Sequence, residues 1–175
     1  MPINFDCDDV PDNFDGFDKC GPGTFHFQVT AVQEEGGNKG ELIVDLEALA
    51  GTDATQAGKP HREYFTKPNS AQKKEARVNT AKRMMLLALA TKLTTEEEIA
   101  ALKKQGKGPS IDFTLAVGRQ FVGKLMEEEY QGKKRCKMGF DLWPIGHPKA
   151  AGVPLNEGML SKQGDASPNP FGDCF

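Results

Sequence analysis

Residues 68–106 read PNSAQKKEARVNTAKRMMLLALATKLTTEEEIAALKKQG, the one stretch of helical periodicity in a chain otherwise patterned for strands. Val78, Ala81, Met85, Ala88 and Leu89 recur at helical spacing, and Met84 and Leu86 widen the stripe, so a helix is predicted over residues 69–92. Pro68 blocks upstream continuation, while Asn69 and Gln72 form a capping-box pattern. Lys73, Lys74, Arg77 and Lys82 fall off the stripe and read as a solvated outer face. A second helix is predicted from Thr94 or Thr95 to about Gln105, each threonine followed three residues on by a glutamate. Glu96, Glu97 and Glu98 suit its positive end, and Ile99 and Leu102 face inward.

Strand patterns lie on both sides of this stretch. In residues 24–32, Phe25, Phe27, Val29 and Ala31 alternate with Thr24, His26, Gln28 and Thr30, which predicts a strand with one wet face and His26 at the surface. The turn Gly36-Gly37-Asn38-Lys39-Gly40 leads into a second strand over residues 41–49, with Leu42, Val44, Leu46 and Ala48 inside. Residues 59–67 make a third, placing Tyr64 and Phe65 on opposite faces. After the helices, Ile111, Phe113, Leu115 and Val117 alternate with polar or small residues and predict another strand. Residues 119–129 and 133–143 then form a hairpin around Tyr130-Gln131-Gly132. Its arms carry opposite charge, Glu127 to Glu129 against Lys133, Lys134, Arg135 and Lys137, so cross-strand ion pairing accounts for much of the pattern.

The 175 residues suffice for one core domain with attachments. The net charge of −3 is unevenly spread. Residues 1–20 hold six aspartates against Lys19 alone, whereas residues 21–145 hold 19 Lys and Arg against 16 Asp and Glu. Overall acidity therefore does not exclude a polyanionic partner. The expected organisation is an acidic and aromatic leader over residues 1–20, a domain over 21–145, and a flexible tail over 146–175 rich in Pro and Gly. With no apolar run of about 20 residues and no signal-peptide pattern, a soluble cytoplasmic protein is expected. Cys7, Cys20, Cys136 and Cys174 show no C-x-x-C spacing and read as reduced thiols rather than zinc ligands.

Three strands, a helix and two strands is the order of an OB-fold, a five-stranded barrel with an α-helical segment between strands 3 and 4. A mainly β chain with a helical insertion is thus predicted. A ferredoxin-like sheet would need a helix in residues 32–42, which are too short and glycine-rich. No phosphate loop, nucleophile elbow or histidine cluster is present, and Asp6, Asp8 and Asp9 lack the rest of a calcium loop. A non-enzymatic binding protein without cofactor or metal is the expectation. Binders of single strands combine a cationic groove with aromatic stacking faces. Lys39 would stand at one rim of such a groove and Lys133, Lys134 and Arg135 at the other, with Arg62, Tyr64 and Lys67 between them. Trp143 either extends that platform or closes the barrel from inside. Phe65, Phe121 and Phe140 are assigned to the core.

The opening Ile3-Asn4-Phe5-Asp6 with Asp8-Asp9-Val10, followed by Gly23-Thr24-Phe25-His26-Phe27-Gln28-Val29, resembles the start of a bacteriophage and prophage domain-of-unknown-function family of small proteins. Members of that family are often described as single-stranded DNA-binding, and the similar order of elements runs over about residues 1–145. The resemblance implies a role in phage DNA replication or recombination, with single-stranded DNA as partner and no catalytic residues. The closing Phe171-Gly172-Asp173-Cys174-Phe175 is similar to the acidic, Phe-terminated tips of bacterial single-strand binding proteins. It lacks their acidic run; Phe171, Asp173 and Phe175 are the residues expected to dock a replication or recombination protein. A protein–protein interaction module of such a complex, without DNA binding, is the alternative. A third reading joins the two, with the aspartate-rich leader covering the groove until DNA displaces it.

Overall fold

The computed structural model describes residues 19–37 and 40–160. Five strands form one antiparallel sheet: β1 (Gly23–Gly36), β2 (Glu41–Gly51), β3 (Pro60–Phe65), β4 (Gln120–Tyr130) and β5 (Lys133–Trp143). Their spatial order is β3-β2-β1-β4-β5. Between β3 and β4 lie α1 (Lys74–Ala90) and α2 (Glu96–Lys104), and α3 (Glu157–Leu160) follows β5. No helix among the described residues is long and apolar enough to cross a membrane.

Period-two patterning builds the sheet. Phe25, Phe27 and Val29 of β1, Leu42, Val44, Leu46 and Ala48 of β2, Phe65 of β3, Phe121 and Leu125 of β4, and Met138 and Leu142 of β5 all enter one core. Each large side chain so buried contributes about 1.5–3 kcal/mol. Three register irregularities bend the 14-residue β1 against β2, and its first part, from Gly23 to Gln28, also pairs with β4. Gly51 permits the closest approach at that end, since a Cβ there would stand 2.2 Å from the Phe25 ring. The β4–β5 turn has Gln131 and Gly132 both at positive φ, 52° and 73°, the two-residue geometry that matches strand twist.

The helical stretch divides in two. Leu87, Ala88 and Ala90 bury the C-terminal end of α1 in the core, whereas residues 74–79 are exposed. The N-cap of α1 is Lys73, four residues after the Asn69 that the capping pattern predicts. Half of the predicted box forms, Asn69 N–H donating to Gln72 Oε1 at 3.0 Å, but the Asn69 Oδ1 accepts from Ala71 N–H at 3.0 Å rather than from Gln72, and these bonds close a separate turn ahead of α1. At the other end, Leu93 N–H returns to the Ala88 carbonyl and Lys92 N–H to Leu89, with Lys92 at φ 55°; this is a Schellman stop. Arg119 adds a guanidinium on the Thr91 and Lys92 carbonyls at 3.0 and 2.7 Å, favourable at the negative end of a helix. The capping box of α2 forms as predicted, with Thr95 and Glu98 reciprocally bonded.

Four expectations need correction. First, the sheet does not close into a barrel, because the facing edges β3 and β5 are joined by side chains in place of a backbone ladder, as described below. Second, residues 111–117 are no strand. Asp112 caps a single 3₁₀ turn, Phe113–Ala116, by accepting from Thr114 N–H at 2.9 Å. Phe113 and Ala116 are buried at a spacing of three, while Leu115 and Val117 are exposed. Third, the domain does not stop at residue 145. Pro148–Ala150 forms a 3₁₀ turn with Ala150 buried, and the segment reaching α3 lies against the sheet. Residues 19 and 20 likewise belong to the domain, since Cys20 is buried and its N–H bonds the Pro60 carbonyl at 3.0 Å.

Fourth, His26 is fully buried. Its Nδ1 accepts from Asn156 N–H at 3.0 Å, so the proton resides on Nε2 and is donated to Gln120 Oε1 at 2.9 Å. Gln120 in turn donates to the Met159 carbonyl at 3.1 Å. Burial pushes the His26 pKa below its ordinary value, against the opposing effects of Gln120 and Glu157. Unfolded histidine takes up a proton as pH falls through about 6.5, whereas the folded one resists. This site's stability is therefore complete above that pH and declines below it. Melting temperatures measured from pH 7.5 downward should fall for the native chain and change less for His26→Gln; parallel profiles would refute the assignment.

Candidate functional site

The gap between β3 and β5 opens as a cleft of about 1240 Å³. Alternation on β3 turns His61, Glu63 and Phe65 inward and leaves Arg62 and Tyr64 outside. At the cleft floor the Glu63 carboxylate, 4% exposed, accepts from His61 Nε2 at 2.9 Å and from Met138 N–H of β5 at 2.8 Å. Its other oxygen pairs with Arg83 of α1. Arg83 also donates to the Met138 carbonyl, from Nε at 3.0 Å and Nη2 at 2.6 Å, and to the Tyr64 carbonyl from Nη1 at 2.9 Å. Its guanidinium lies 4.5 Å from the Phe65 ring centroid. One carboxylate and one guanidinium thus take the place of the missing ladder between the edges, holding them together yet leaving the cleft above open.

Burial would raise the Glu63 pKa, but the bond from His61, the charge of Arg83 and the Met138 N–H outweigh it and hold the carboxyl below its ordinary range. Every buried polar side-chain atom among the described residues has a partner. Cys20 and Cys136, both free, also line the cleft. Burial, with Cys136 nearby, pushes the Cys20 thiol up to about 11, and burial raises Cys136 as well. Both stay protonated near neutral pH and are weak nucleophiles. Among the described residues, no group of three or more His, Cys, Asp or Glu could hold a metal ion.

Four of the sequence-predicted residues meet in this cleft: Arg62 and Tyr64 from β3, Lys134 and Arg135 from β5. Tyr64 is 45% exposed. Arg62 grips Asp45 through two bonds of 2.6 and 2.8 Å, Lys134 meets Glu127 at 2.9 Å, and Arg135 meets Glu128 at 2.5 Å while lying over the Tyr130 ring. The hairpin pairing read from the charge pattern is thus present. These pairs lie at or near the surface, where solvent screening leaves an ion pair little net stability, so their cations can exchange partners at small cost. Lys137 lines the cleft with no ion pair among the described residues. The described residues of the lining bring six Lys and Arg against four Asp and Glu.

No protein-family model and no curated protein matches the chain.

The remaining predicted residues lie elsewhere. Lys67 stands past the end of β3 and pairs with Glu35 at 3.7 Å, outside the lining. Lys133 is exposed at the hairpin turn, also outside it. Trp143 ends β5 opposite Val122 and is half-buried; some ten residues from the turn, it sits roughly 30 Å along the strand and does not line the cleft. Lys39 and the tip residues Phe171, Asp173 and Phe175 fall outside the described residues, as do residues 1–18 of the leader, while Lys19 and Cys20 line the cleft. Phe65 and Phe121 are core residues as expected, but Phe140 is 48% exposed. An irregularity opposite Gly123 and Leu125 changes its facing. Glu63, His61 and Arg83 were not singled out from sequence. The signal was present in the alternation: positions 61 and 63 share the inward face of Phe65, and a carboxylate there demands a cation.

Proposed function

We propose that the protein is a non-enzymatic binder of single-stranded DNA, taking the strand into the cleft between β3 and β5. The observation that carries this reading is the convergence there of an exposed aromatic, Tyr64, with Arg62, Lys134, Arg135 and Lys137 from two different strands. Aromatic faces stack bases without regard to sequence, and cations track the phosphates.

The strand order and the helix between β3 and β4 support an opened form of the OB-fold, whose strand 2–3 face and flanking loops bind oligonucleotides. Asp45, Arg62 and Tyr64 lie on the corresponding face. A role in phage or prophage DNA replication or recombination, with a partner held by the C-terminal tip, is the biological setting consistent with the sequence resemblance.

Fluorescence anisotropy with labelled oligo-dT tests the proposal. Binding should be tight at low salt and weaken as salt rises, the log–log slope being about 0.7 per phosphate neutralised. Absence of binding at low salt would reject DNA coating and favour a protein-interaction module.

A further inference from the structure

The N-terminal half of α1 buries nothing. Residues 74–79 are exposed on every side and the first buried position is Leu87, so this half gains little from the tertiary packing that usually stabilises helices. Lys74, Val78 and Lys82 follow at intervals of four and form one stripe along it. Lys74, Arg77 and Lys82 make no ion pair among the described residues. At the end of the stripe the Lys82 ammonium stands 5.4 Å from the centroid of the exposed Phe140 ring.

This surface is continuous with the cleft. Arg83, the next residue, lines the cleft and holds the carbonyls of Tyr64 and Met138, and Met138 lies two residues before Phe140. One guanidinium therefore fixes the backbone of Tyr64, and that of β5 two residues before Phe140, to the same helix turn. The strand irregularity that leaves Phe140 outward is of the kind that re-aims side chains at functional surfaces.

We propose that Phe140 and the Lys74–Val78–Lys82 stripe form a second stretch of the interface, over which a strand leaving the cleft continues. The inference rests on the single-strand reading above. Phe140 offers a stacking face, and residues 73–82 carry four cations, Lys73, Lys74, Arg77 and Lys82, against Glu75, a balance suited to phosphates.

The test compares the full-length protein with Phe140→Ala, Phe140→Leu and Lys74→Ala/Lys82→Ala on oligo-dT of about 6 and about 20 nucleotides, lengths that bracket a typical site. In the native protein the longer oligomer should bind more tightly than the shorter one. Phe140→Ala and Phe140→Leu should each reduce that gain roughly 5- to 150-fold, the range expected for one stacked base, and the double lysine variant should reduce it as well. The double lysine variant should also lower the salt slope on the long oligomer by about 1.4. Phe140→Leu keeps an apolar side chain but no ring, so a loss matching Phe140→Ala separates stacking from packing. If the native protein binds DNA and the variants keep the full gain, this inference alone falls; if the native protein binds neither oligomer, the single-strand reading falls with it.

Discussion

Replacing Glu63 with alanine should destabilise the fold by about 3–5 kcal/mol, the range for breaking one side of a buried ion pair. The carboxylate has three donors, His61, Arg83 and Met138 N–H, and each would lose its acceptor. Arg83 suffers most, because its side chain is only 14% exposed and its charge would remain without a counterion. Urea unfolding at neutral pH measures the loss, and one below about 1 kcal/mol would show that the two edges hold together without this network. Adding Arg83→Met removes the stranded charge, so the double variant should be more stable than the sum of the single losses implies. The acid limb gives a second readout. Since the carboxyl is held below its ordinary range, its contribution is complete above about pH 4.3, the value for an unfolded glutamate, and disappears as pH falls through the lower folded value. Glu63→Ala should therefore flatten the loss of stability in acid.

Tyr64→Ala should weaken binding to oligo-dT by about 1–3 kcal/mol, the value of one stacked base, or roughly 5- to 150-fold in Kd. Stability should change little, because the side chain is 45% exposed and Arg83 holds this residue by its carbonyl, not its ring. Tyr64→Phe keeps the stacking face and should bind nearly as the native protein does. If Tyr64→Ala binds like the native protein while the native protein binds DNA tightly, the strand does not follow the cleft. If Tyr64→Phe loses as much as the alanine variant, the hydroxyl rather than the ring makes the contact.

The sheet was readable because burial on one face writes a period of two into the chain. The runs around Phe25, Leu42, Phe65, Phe121 and Leu142 all fall within strands of the observed sheet. The same logic failed at residues 111–117, where alternation is present but Asp112 and Glu34 supply side-chain bonds to the Thr114 and Phe113 amides that stabilise a local turn. It failed at His26 for a different cause. A polar outer face is exposed only if nothing covers it, and the covering segment, which contacts His26 at Asn156, lies 130 positions away. Phe140 shows the converse, an aromatic whose hydrophobicity argued for the core but whose facing was changed by a local irregularity in register.

The candidate site divides along the same line. Arg62 and Tyr64 share the outer face of β3 by alternation alone, and Lys134 and Arg135 follow a turn that Gly132 makes legible. These relations are local, spanning a few residues of regular backbone, and the sequence by itself determined them along with the five strands and the helical insertion. That β3 and β5 face each other across an open cleft, without closing into a barrel, was decided only in three dimensions. It depends on Glu63, Arg83 and Met138 meeting from positions 20 to 75 residues apart. One carboxylate and one guanidinium satisfy the buried polar groups there, and no periodicity encodes such a meeting. The exposed end of α1 belongs to the same class: its charges were visible in the sequence, but their alignment with Phe140 and the cleft follows from how the C-terminal end of the helix is anchored in the core.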